Sequence, residues 1–157
     1  MWQEAARRGS NEASLYALLG WASWKHDSDR PHALFHYQRA AELRPDDYRV
    51  HLTIDQIHEE LGTAPAKRLN LLLALPEIVR SSGRLPQRLV QLYTATGRWV
   101  EAARILSSHQ FRPWEGERTM RGIYTDFCVA RGESLMDDRR WKDAQDAFER
   151  ALEYPIN

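Results

Sequence analysis

The chain has a single cysteine, Cys128, in 157 residues. A lone thiol cannot staple a fold. A disulfide framework is therefore excluded, and a reducing compartment, the cytoplasm, is the expected home. Cys128 lies in an apolar helical run and reads as a small buried hydrophobe. No stretch approaches the roughly 20 apolar residues of a membrane span. The opening Met1-Trp2-Gln3-Glu4-Ala5-Ala6-Arg7-Arg8 lacks the apolar core of a signal peptide. Net charge is missing too, because 22 basic residues balance 22 acidic ones. That balance argues against a nucleic-acid partner, which needs a basic face, and gives no support for attachment to a membrane surface. There is no phosphate-binding glycine loop, no nucleophile elbow and no Cys-x2-Cys pair. No segment alternates apolar and polar residues as a half-buried strand would, so no sheet is expected.

What the chain does have is helical periodicity, interrupted by turns. In the segment from Gly132 to Leu152, Ala144, Phe148 and Ala151 fall at i, i+4 and i+7. Two small residues and one ring thus share a stripe, which lets a neighbouring helix approach closely while the ring fills the gap. Helices about 118–131 and 139–153 form this last pair. Earlier, Ala33, Tyr37 and Ala40 repeat the stripe after a turn around 26–31, where Pro31 suits the first turn of a helix. The preceding helix carries Ala13, Tyr16, Ala17, Gly20, Trp21 and Trp24 on its packed side and can be capped by Ser10. Residues 1–8 read as a short helix without a cap, as though the chain starts inside a repeat. Asp46-Asp47 can cap a helix to about Leu61, with Val50, Ile54, Ile57 and Leu61 on one side and Gly62 at its end. Pro65 opens a leucine-rich helix to about Ala74, and Pro76-Glu-Ile-Val-Arg adds a helical turn. Further helices are expected from about Pro86 to Thr96 and around Ala102. A loop of about ten residues, Ser107 to Glu117, separates them from the last pair.

These stripes resemble the tetratricopeptide repeat (TPR) family, whose signature includes W-x2-L-G on the first helix and A-x3-F on the second. Tyr16-Ala-Leu-Leu19-Gly20 matches the first, with Tyr for Trp, and Ala144-x3-Phe148 matches the second. Pro45 follows Tyr37 by eight, as the family's terminal proline does. Gly20 to Ala33 is thirteen residues where Gly132 to Ala144 is twelve, so the first turn holds one extra residue. The packing alanines Ala33, Ala66, Ala102 and Ala144 are separated by 33, 36 and 42 residues, against about 34 for a regular array. The resemblance implies an all-α fold, a TPR-like superhelix of three to four irregular helical hairpins in a single domain spanning 1–157.

A narrower resemblance rests on Leu19-Gly20-Trp21-Ala22, Glu42-Leu43-Arg44-Pro45-Asp46-Asp47, and Phe111-Arg-Pro-Trp-Glu-Gly followed by Phe148-Glu-Arg-Ala-Leu-Glu-Tyr-Pro. These are similar to the C-terminal repeat region of large bacterial proteins with an N-terminal β-rich domain like that of carbohydrate-active enzymes. Glu117 stands where that group tends to have a second glycine. The resemblance implies an excerpt of a longer chain.

Candidate functional residues are few. His51, Asp55 and His58 sit at i, i+4 and i+7 opposite the apolar stripe of their helix. They suit a solvated polar face first, a groove contact to a protein segment second, and a metal or acid–base cluster last. His32 and His36, at i and i+4, suit a half-buried hairpin rim before a zinc pair. Trp114 and Glu115, in the Pro/Gly loop, either plug a gap or grip a sugar or peptide. Trp99 and Trp141, each three residues before a packing alanine, are expected to be structural. The expected function is a non-catalytic scaffold without cofactor or metal, presenting a concave groove to a protein segment or to a partner domain of its parent chain. The competing expectation is the helical arm of a carbohydrate-active protein. Self-association through the apolar sides of Trp2–Arg8 and Ala147–Tyr154 is a third.

Overall fold

A computed structural model describes residues 13–108 and 117–153. The described residues are all-α, with nine helices and no strand. The expected helix at residues 1–8, the Ser10 cap and most of the 107–117 loop lie outside them. In order the helices are α1 (Ala13–Lys25), α2 (Arg30–Leu43), α3 (Tyr48–Glu60), α4 (Pro65–Leu73), α5 (Glu77–Arg80), α6 (Leu85–Ala95), α7 (Trp99–Ser108), α8 (Glu117–Asp137) and α9 (Trp141–Leu152). By its internal contacts the chain divides into two units between Leu85 and Pro86. Among the described residues no helix is long and apolar enough to cross a membrane.

In the first unit, α1 and α2 form a close hairpin. Asp29 caps α2 by accepting from the His32 N–H at 3.0 Å, and Pro31 sits in the first turn. Ala33, Tyr37 and Ala40 are buried, as the stripe predicts, and form one core with Val50 and Ile57 of α3. Gly20 makes the close approach possible. A Cβ there would lie 2.7 Å from the Tyr37 ring and 3.3 Å from the Ala33 carbonyl oxygen. The second unit ends in the same arrangement. On α8 a Cβ at Gly132 would lie 2.5 Å from the Phe148 ring of α9, beside a core of Leu135, Ala144 and Ala147. Gly132 therefore does not end its helix near 131 as expected. The helix runs six residues further, because this glycine serves helix contact rather than chain reversal.

The turns repeat. Gly62 (φ 72), Gly97 (φ 69) and Arg139 (φ 59) are each left-handed. After each, the next N–H reaches back five residues: Thr63 to His58, Arg98 to Tyr93 and Arg140 to Leu135. This is the glycine-type helix C-cap, which satisfies carbonyls that the helix end leaves open. At Ser28 (φ 55) the corresponding bond, Asp29 N–H to Ser23 O, spans six residues, so the extra residue in the first turn is present. Local hydrogen bonding makes up for the glycine missing at Ser28 and Arg139.

Three expectations about packing are corrected. Ala66 is exposed, because α4 buries Arg68, Leu69 and Leu72 instead. Trp141 is 62% exposed, since α9 turns Ala144 and Ala147 inward from the next turn, whereas Trp99 is half-buried against Phe127 with ring centroids 6.2 Å apart. Of the two tryptophans on α1, Trp21 faces solvent while Trp24 is half-buried and donates Nε1–H to Glu60 at 3.0 Å. Arg30 donates to the same carboxylate at 2.7 Å, so the end of α3 is tied to both helices of the first hairpin.

Two glycines of α8 provide a test. Gly122 has nothing within 4 Å of a built Cβ, while Gly132 meets a ring. Gly122→Ala should stabilise by about 0.5–1 kcal/mol through helix propensity. Gly132→Ala should destabilise by about 1–3 kcal/mol through overpacking. Thermal melts that move in the same direction for both would refute the close-contact role of Gly132.

Candidate functional site

Helix α3 begins at the Asp47 cap, which accepts from the Arg49 N–H at 3.0 Å. Val50 and Ile57 point into the hairpin core, and the flank carrying His51, Asp55 and His58 turns toward α4. The structure brings all three expected residues onto one cleft of about 220 Å³, together with Arg68 and Leu72 of α4. Gln38 of α2 and the apolar side chains of Ile54, Leu71 and Leu75 complete its walls.

The flank is not a solvated polar face. Asp55 is 3% exposed. Arg68 explains why such burial is tolerated. It donates Nε–H to Asp55 Oδ1 at 2.9 Å and an Nη2 hydrogen to Oδ2 at 3.0 Å, while Nη1 donates to Glu59 at 3.0 Å. A planar guanidinium fork meets a carboxylate in two parallel bonds, the strongest geometry for such a pair. Burial opposes the charge on Arg68, but the Asp55 and Glu59 contacts outweigh it and hold its pKa above the ordinary value. Arg68 is the residue that sequence reasoning missed. Its signal was an arginine beside Leu69 and in register with Leu72 on the apolar side of α4, where a cation needs a buried acid opposite.

The two histidines are also engaged. His51 Nε2 lies 2.8 Å from the Pro45 carbonyl, which can only accept, so Nε2 carries the hydrogen. His58 Nδ1 is 3.2 Å from the Thr63 hydroxyl. Burial lowers the His58 pKa, helped by Lys67 and Arg68 and opposed by Asp55. Among the described residues, no three His, Cys, Asp or Glu side chains group as metal ligands would. Both oxygens of Asp55 are held by Arg68, which leaves the carboxylate poorly placed for proton transfer or metal binding.

Of the expected half-buried rim, His36 is half-buried and His32 is exposed. Their rings stack at 4.8 Å and 22°, with the edge of Phe35 at 5.5 Å from His36. Burial lowers the His36 pKa, and His32 adds to it. Trp114 and Glu115 lie outside the described residues. No family model matches the chain.

Two measurements follow from this geometry. Removing one member of a buried ion pair strands the other charge, so Asp55→Ala should cost about 3–5 kcal/mol, and Asp55→Leu with Arg68→Met far less. Equal losses in the single and double variants would show that the pair is not the coupled unit. The second concerns pH. His36 and His58 titrate below their ordinary value when folded, so the unfolded chain takes up protons first. Stability should be fully present above about pH 6.5, where both states are neutral, and should fall as pH drops from there toward the folded pKa values. His36→Gln with His58→Gln should flatten the urea-midpoint profile between about pH 7 and 5. An unchanged slope would assign the acid sensitivity to other groups.

Proposed function

We propose that the protein is a non-catalytic TPR-like scaffold of helical hairpins, working in the cytoplasm, that presents a groove to a protein segment or to a partner domain of its parent chain. Among the five left-handed residues, Ser28, Gly62, Gly97 and Arg139 follow helices of at least ten residues, while Gly83 follows the short α5; those four support the repeat reading. Their separations are 34, 35 and 42 residues, beside the family's period of about 34.

The observation that carries the binding role is the α3–α4 cleft lined by His51, Asp55 and His58. Its volume suits one apolar side chain of an incoming segment. Leu71 and Ile54 supply apolar contact, while Gln38 and the two imidazoles supply hydrogen bonds at the edge. The Asp55–Arg68 pair holds the two helices in register before anything binds, which reduces the ordering cost of association. Asp55 itself acts as a positioning residue rather than a contact.

A displayed peptide library tests this reading. Selection should yield segments sharing one apolar anchor. Their affinity should fall about ten-fold or more for His51→Ala with Leu71→Ser, as truncating anchors at a small site does, and should hold for Trp141→Ser, a change to an exposed side chain on α9. Failure to select any segment, or equal affinity for both variants, would reject the cleft as the groove.

A further inference from the structure

The second unit contains a larger cavity that the scaffold reading does not use. It measures about 430 Å³ and lies between α7 and the α8–α9 hairpin. That is within the range of about 300–1,000 Å³ that holds small organic ligands. Leu106 of α7, Phe127 and Leu135 of α8 and Ala147 of α9 provide an apolar wall. Charge is supplied by arginine. Arg140 is spoken for, since it donates to Asp143 at 2.8 Å. Arg131 and Arg150 also line the cavity, and among the described residues neither has a carboxylate partner. Both stand close enough to Cys128 to work against the burial that raises its thiol pKa. Asp146 is the remaining acid on the lining. With the Arg140–Asp143 pair neutral, two guanidiniums against one carboxylate leave a net positive lining.

We infer that this cavity binds a small monocarboxylate with an apolar tail. The tail lies along Phe127 and Leu135, and the carboxylate meets Arg131 and Arg150. Arginine suits the task because its planar fork matches a carboxylate in two parallel bonds. Arg150 is exposed and Arg131 half-buried, so the carboxylate sits at the rim while the buried Phe127 and Leu135 back the tail. A cationic head group would meet a net positive lining, and a neutral one would form no charge-assisted bond there.

Calorimetric titration of the whole chain tests the inference with four probes that vary head and tail: octanoate, 3-phenylpropanoate, octanol and octyltrimethylammonium. At least one carboxylate should bind about ten-fold or more tightly than octanol, the gain expected of charge-assisted hydrogen bonds. The cation should bind more weakly than octanol. The better of the two carboxylates assigns the tail as aliphatic or aryl. Arg131→Gln with Arg150→Gln should bring carboxylate binding down to the octanol level while the melting temperature holds, because neither side chain is in the core. A second variant, Ala103→Phe, fills the cavity from α7 and should abolish binding of every probe. The inference is overturned if no carboxylate binds better than octanol, if the cation matches the carboxylate, or if Ala103→Phe leaves carboxylate affinity unchanged.

Discussion

Close approach of two helix backbones is the constraint on which both hairpins depend. At Gly20 and Gly132 the absent Cβ is replaced by an aromatic ring from the opposite helix, Tyr37 in one case and Phe148 in the other. The small residues Ala33 and Ala144 sit beside those rings and are almost completely buried. Each contact therefore needs a glycine, an alanine and a ring at fixed positions along two helices. A larger residue at either small position would force the helices apart, and a smaller one at the ring would leave a void, with a cost in either direction. These three positions set the distance between the helices, and further buried residues such as Leu19, Ala40, Leu135 and Ala147 extend the contact.

The first unit adds a polar constraint to this apolar one. Helices α3 and α4 are joined by a buried carboxylate–guanidinium pair, and the end of α3 is joined to the first hairpin through Glu60. Hydrogen bonds of this kind have direction, whereas apolar contact does not. They select one register among several that would bury similar area. Isolated charges at these depths would be unstable, so the pair must form as a unit. The cleft beside it inherits that rigidity. Its histidines are held from one side by Pro45 and Thr63, and their remaining edges line the cleft.

The two units thus present different cavities by different means. In the first, the walls are mixed and the charge is internally satisfied by Arg68. In the second, an apolar wall stands beside a charged rim, and among the described residues Arg131 and Arg150 have no carboxylate partner. A small cleft with satisfied charge suits a side chain of a larger partner. A wider one with surplus positive charge suits an independent anion. Neither arrangement requires the cavity to contribute chemistry of its own.

The sequence by itself determined the helices and, the C-terminal end of α8 apart, their approximate ends. Apolar residues spaced three and four apart, Asp29 and Asp47 as caps, and Pro31 and Pro65 in first turns act within a few residues and need no distant partner. The extra residue of the first turn was legible for the same reason. Local patterning could not decide how each element was used. Gly132 has the composition of a helix end, but Phe148, sixteen residues on, makes it a contact. Asp55 belongs to a polar flank by periodicity, yet Arg68 on the next helix draws it inward. Ala66 matches a packing position by spacing, and the inward turn of Leu69 and Leu72 leaves it in solvent. The cavity arginines gave no local signal, because pairing with Asp143 engages Arg140 while among the described residues Arg131 and Arg150 have no such ion pair. In each case the deciding energy comes from an atom far along the chain. Tertiary structure decides such roles because burial and ion pairing depend on what lies opposite, and periodicity records only which residues share a side.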